Sequence, residues 1–198
     1  MVCMNSRWRN LIVVIVIIVI IVAIFQLSQG ANFLGPNFEE YAPTVDGVWT
    51  KQGASLASAE SLFSLEASAI NTAKNELSSM DSITLSGASK QYLKINIAIA
   101  DYVKLVREEI EINEIVFALS ADEYCGSLNL FENRNEIIGK EIVLSEQIES
   151  LVEEFEINYP TENERFYNVE FDSIVDSEYL SGVLLEYEQS LSNLSGVC

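Results

Sequence analysis

Apolar positions along this chain fall into two regimes. From Leu11 to Phe25, LIVVIVIIVIIVAIF, fourteen of fifteen residues are Leu, Ile, Val or Phe, with Ala23 the exception. Beyond residue 53, apolar residues instead recur at helical spacing between Ser, Glu, Asn and Lys. As a helix, residues 8–28 span about 30 Å at ~1.5 Å per residue, the thickness of a bilayer's hydrocarbon core. Twelve of the fifteen are Ile or Val, which lean toward strand in water. In lipid no water satisfies the backbone, and only a helix satisfies it within one segment. The pattern predicts a transmembrane signal-anchor helix over residues 11–27. The competing reading is a buried strand of a soluble core, but such strands run only to about eight residues.

The flanks orient the span. Arg7 and Arg9 precede it, Trp8 suits the interface beside them, and residues 1–30 hold no acid. Basic residues stay on the cytoplasmic side. Residues 1–10 are therefore expected to be a short cytoplasmic N-terminus, with residues 31–198 extracytoplasmic. An alternative is a secretory signal cleaved after Gly30, where Ser28 and Gly30 make a small-x-small site before Ala31. Both readings deliver residues 31–198 to the same compartment. A pilin-type signal calls for Gly or Ala just before the apolar run, where Arg9 and Asn10 stand.

Residues 28–53 hold two of the three prolines and show no sustained period, so they are read as a juxtamembrane connector. Phe33, Phe38, Tyr41 and Trp49 make it unusually aromatic, and part of it is expected to pack on the bundle or lie at the bilayer surface. Residues 54–198 carry four apolar seams. Leu56, Phe63, Ile70 and Leu77 repeat every seven residues, with Ala59, Ala67 and Ala73 between them, and predict one helix with close packing. A turn over residues 78–87 follows. Ala88, Tyr92, Ile95, Ile99, Tyr102 and Val106 predict a second helix to Leu119. Its seam then meets Glu109 and Asn113 and recovers, if shifted by one, through Ile110 and Phe117, as in a stutter. Lys104 with Glu108 and Arg107 with Glu111 are i,i+4 pairs on its exposed face.

Residues 120–132 read as a loop around Cys125. Asn133 with Glu136 looks like a cap opening a third helix to about Ile157, with Ile137, Leu144, Ile148, Leu151 and Phe155 inward and Pro160 as its stop. Tyr167, Val169 and Phe171 alternate like a short strand. A last helix begins near Ser173 and Asp176, with Leu180, Leu184, Tyr187, Leu191 and Leu194 inward. The predicted fold is all-α: one transmembrane helix, then an antiparallel four-helix bundle ectodomain. Up-down-up-down order brings the loop between the second and third helices beside the C-terminus. Cys125 and Cys198 are therefore expected to form a disulfide, which an oxidising compartment preserves. Cys3 lies before the anchor.

Charge narrows the partners. All 30 acids and 9 of the 11 bases follow residue 30, leaving that part at −21. Such a surface repels nucleic-acid phosphates and anionic lipid headgroups. Residues 108–198 alone hold 22 acids against 3 bases, a solvated surface that could also draw cations or a basic partner. Weak divalent-cation binding would need these carboxylates to converge.

The chain has no histidine, which removes Ser-His-Asp and Cys-His nucleophiles, His-ligated zinc and the commonest general base. It also lacks a P-loop, a dinucleotide fingerprint and an EF-hand loop. Acid pairs such as Glu108/Glu109, Glu153/Glu154 and Glu162/Glu164 read as solvated faces. Asn193-Leu194-Ser195 is a glycosylation sequon. No catalytic residue, cofactor or resident metal is expected. The expected role is a non-enzymatic structural or protein-interaction component of the cell envelope, held by its N-terminal helix and working with a protein partner. The alternatives are a secreted helical protein or a ligand-sensing ectodomain. Ten residues precede the apolar run, so such a sensor is expected to need a separate signalling partner. Inward polar residues favour a sensor, and Glu109 and Asn113 are the candidates.

Overall fold

A computed structural model describes residues 37–80, 85–120, 123–163 and 174–198. The anchor over 11–27, with Arg7, Trp8 and Arg9, lies outside the described residues, as does the alternating segment 167–171. Among the described residues no helix is long and apolar enough to cross a membrane.

The described chain is helical, with no strand; Ser55 and Ser58 form an isolated bridge. The helices are α1 (Phe38–Lys51), α2 (Ala59–Phe63), α3 (Ala67–Met80), α4 (Gly87–Ala118), α5 (Leu128–Asn158), α6 (Pro160–Asn163) and α7 (Ser177–Val197), with a 3₁₀ turn at Cys125–Ser127 before α5.

The first difference from the sequence reading is α1, which falls where a connector was expected. Its buried residues, Phe38, Tyr41, Ala42, Val45, Val48 and Trp49, follow i, i+3, i+4, i+7, i+10, i+11 and line one face. Asn37 caps it, its Oδ1 accepting the Glu40 N–H at 2.9 Å. Pro43 removes one interior hydrogen bond, a loss the buried face offsets. The helix ends in a Schellman motif: the Ala54 N–H donates to the Trp49 carbonyl and the Gly53 N–H to that of Thr50, both at 3.0 Å. Gly53 takes φ +84° there, which a Cβ would oppose.

The heptad from Leu56 to Leu77 is not one helix. Ser58 caps the short α2, and the chain breaks again over residues 64–66 before α3. Leu56, Leu62, Leu65, Ile70 and Leu77 all reach the core, while Phe63 is only half-buried and Ala67 is exposed. The serine-rich stretch favours local side-chain-to-backbone bonds over continuous helix: Ser61 Oγ donates to the Ser58 carbonyl at 2.8 Å and accepts the Ser55 N–H at 2.9 Å.

Helices α3, α4, α5 and α7 each pack on the next in sequence, α4 against α5 most extensively. The Gln91 side chain donates to the Leu151 carbonyl at 3.2 Å, joining the start of α4 to the end of α5, so this pair is antiparallel. At the same end Gly87 allows close approach, since a Cβ there would fall 2.3 Å from the Tyr159 hydroxyl. At the other end of the pair, the sulfurs of Cys125 and Cys198 lie 2.06 Å apart, with Cα atoms 5.3 Å apart.

Helix α5 begins five residues before the expected cap, so Asn133 sits inside it. In α4 the seam does not shift. Ile112 and Val116 are buried and Phe117 is 79% exposed, so Glu109 and Asn113 stay on the original register. Helix α7 keeps its expected face, Leu180, Leu184, Tyr187, Leu191 and Leu194, but each of these is only half-buried.

Candidate functional site

Two apolar clusters occupy opposite ends of the α4–α5 pair. The larger joins α1, α2 and α3 to the first half of α4 and to Ile148 and Phe155 of α5. The smaller gathers Ile112, Val116, Phe131 and Ile137, with Leu191 and Leu194 of α7 against it, near the cysteine pair. Between them the interface turns polar, and α5 supplies most of it. Arg134, Glu141 and Ser145 are all buried, at spacings of seven and four that put them near one face.

Glu141 is 0% exposed, and neither carboxylate oxygen has a hydrogen-bond partner among the described residues. Burial, reinforced by the nearby charge of Glu109, raises its pKa to about 8. Tyr102, across on α4, is pushed up as well, first by burial and then by Glu141 and Glu109. Glu109 is half-buried and accepts the Asn113 side-chain N–H at 2.8 Å. Of the two expected inward polar residues, Glu109 thus sits beside a third, Glu141, and Asn113 is bonded to Glu109.

Among the described residues Arg134 takes no carboxylate partner. Its guanidinium stacks 3.6 Å from the Tyr187 ring centre and 5.4 Å from that of Phe131, where burial pulls its pKa down. The stack clasps α7 to α5. A second clasp lies at the start of α7, where Glu149 accepts the Ser177 N–H and hydroxyl, each at 3.1 Å. Asp176 caps the helix, accepting the Tyr179 N–H at 2.8 Å.

Between these clasps a cleft of about 220 Å³ opens, lined by Glu141, Glu109, Tyr102 and Asp176 together with the apolar Val106 and Leu180. No Lys or Arg is among its lining residues. The carboxylates do not converge: no group of three or more His, Cys, Asp or Glu among the described residues is placed to hold a metal ion. Asn193, in the glycosylation sequon, is exposed on α7. Glu153 and Glu154 are exposed on α5, as a solvated face requires.

Glu141 was missed in sequence, although the pattern marked it. The inward series of the third helix jumps seven residues from Ile137 to Leu144. Glu141 fills the gap, completing a 4-3-4-3-4 seam through Phe155. An acid on an apolar seam is the signal.

No family model matches the chain, and neither a curated protein nor a solved structure does.

Proposed function

We propose that this chain is a non-enzymatic, single-pass membrane protein whose N-terminal helix presents an acidic, extracytoplasmic bundle of four long helices. The anchor rests on the uninterrupted run from Leu11 to Phe25 behind Arg7, Trp8 and Arg9, the orientation on the absence of acids in residues 1–30. The bundle reading is supported by the sequential packing of α3, α4, α5 and α7. A disulfide between Cys125 and Cys198, at bonding distance, suits the outer compartment. The total lack of histidine weighs against nucleophilic and His-metal chemistry.

Of the two roles such an ectodomain could have, structural partner or ligand sensor, one observation favours the sensor. Glu141 is fully buried and unpartnered, yet lines a cleft. A helix packed only for scaffolding gains nothing from a carboxylate there, because an unpaired buried polar group costs on the order of 1–3 kcal/mol or more. Crosslinking in intact membranes, with and without a small-molecule extract, tests the role. A sensor changes its crosslinked partners when the extract is present. Unchanged partners would instead support the purely structural role.

A further inference from the structure

The cleft between α4, α5 and the start of α7 has a graded wall. Glu141 lies fully buried, Glu109 is half-buried, and Asp176 is exposed. All three are acids and no basic side chain among the described residues lines the cleft, so its field draws cations inward. The dispersed carboxylates do not make a metal cage. Both oxygens of Glu141 lack donors, which calls for a cation that brings N–H groups. Val106, Ile174 and Leu180 add apolar surface to the same lining. At about 220 Å³ the space suits a ligand smaller than those of ordinary drug-sized pockets.

We propose that this cleft binds a small primary alkylammonium ion, its N–H groups donating to Glu141 and its aliphatic body lying against Val106 and Leu180. A quaternary ammonium has the charge but no donor and leaves Glu141 unsatisfied. An alcohol of the same length has a donor but no charge. An anion meets an acidic lining. The assignment rests on the ligand-sensing reading of the ectodomain and gives that ligand a chemical class.

Proton and ligand compete for Glu141. The titratable groups that share the cleft with it are Tyr102 and Glu109 from α4, and Asp176 and Tyr179 at the start of α7. Tyr102 stays protonated throughout, because burial and its acidic neighbours push it up.

The test is calorimetric titration of the full chain in detergent micelles with n-butylammonium chloride, n-butanol and tetramethylammonium chloride at matched ionic strength. n-Butylammonium should bind and the other two should not bind in the same concentration range. With a Glu141 pKa of about 8, its affinity should be about tenfold higher at pH 9 than at pH 7. Glu141→Gln, which relieves a buried acid and should keep the fold, should weaken binding on the order of tenfold or more. Val106→Phe, which fills the cleft and leaves Glu141 in place, should abolish it. Equal binding of tetramethylammonium, or undiminished binding to Glu141→Gln, would overturn the assignment. Binding of n-butanol alone would overturn the cation class while leaving the cleft a ligand site, and binding of none of the three would overturn both.

Discussion

Trp49 and Asn96 are both fully buried, and the indole Nε1–H of one donates to the side-chain oxygen of the other at 2.8 Å. Asn96 in turn donates to the Tyr92 carbonyl at 3.0 Å on its own helix, so the amide is held from both ends. The bond ties the end of α1 to the first third of α4. Asn96→Leu keeps the branched shape, adds volume to a closed site and orphans the indole N–H. The expected loss is about 1–3 kcal/mol of unfolding free energy by denaturant titration. A neutral result would mean that Trp49 finds another acceptor and that α1 is free to shift along α4.

Ile99 is fully buried in the larger cluster, at the centre of the longest seam. Ile99→Asp places a carboxylate inside the larger apolar cluster, and the stability loss should be several kcal/mol. Thermal melting followed by far-ultraviolet circular dichroism reads it. A melting temperature within a few degrees of the parent would place this face of α4 in solvent.

The buried Glu141 makes stability depend on pH. Its folded pKa of about 8 stands above the ordinary value of 4.5, so the folded state holds a proton that the unfolded state has released. Stability therefore falls as pH rises from about 4.5 to about 8, and the full penalty is present above that. Below about 4.5 both states are protonated and the penalty vanishes. Glu141→Gln removes it. The variant should match the parent near pH 4 and exceed it by on the order of a few kcal/mol at pH 9, in paired denaturation curves. A constant difference across this range would mean that Glu141 titrates normally.

The seams from Tyr92 to Val106 and from Leu180 to Leu194 were legible in sequence because each is a plain 4-3 repeat ending near a cap or a turn. Antiparallel succession of the helices was enough to bring Cys125 and Cys198 to one end, with no knowledge of side-chain detail. Helix α1 was obscured by Pro43, which reads as a breaker, although Phe38, Tyr41, Val45, Val48 and Trp49 form an amphipathic face around it. The break between α2 and α3 was hidden for the opposite reason. The heptad continues through it, while the serine hydrogen bonds that interrupt the helix are local and leave the period untouched. Glu109 and Asn113 suggested a shifted seam because polar residues were assumed to avoid the interior. They lie on the register, with Glu109 beside Glu141, and that exception to the pattern is the candidate site.

Cys125 and Cys198 are separated by 73 positions. On the chain-entropy account, a bridge closing a loop of that length stabilises the fold by about 4 kcal/mol, less whatever fraying the terminal residue undergoes. Cys125→Ser and Cys198→Ser should lower the melting temperature equally, and the double variant should fall no further. Non-reducing digestion of protein from its native compartment should yield one peptide joining the two positions. Two freely alkylated thiols would remove the bridge from the account, and a dimer lost on reduction would place it between chains.

Protease accessibility in intact cells tests whether one N-terminal helix holds the acidic domain outside the membrane. With a tag before residue 1, external protease should digest residues 31–198 and leave the tag protected until the membrane is permeabilised. Full-length protein recovered from the soluble fraction without detergent would contradict the anchor. A mature N-terminus at Ala31 would show that the same run serves as a cleaved signal, and a domain protected in intact cells would reverse the orientation.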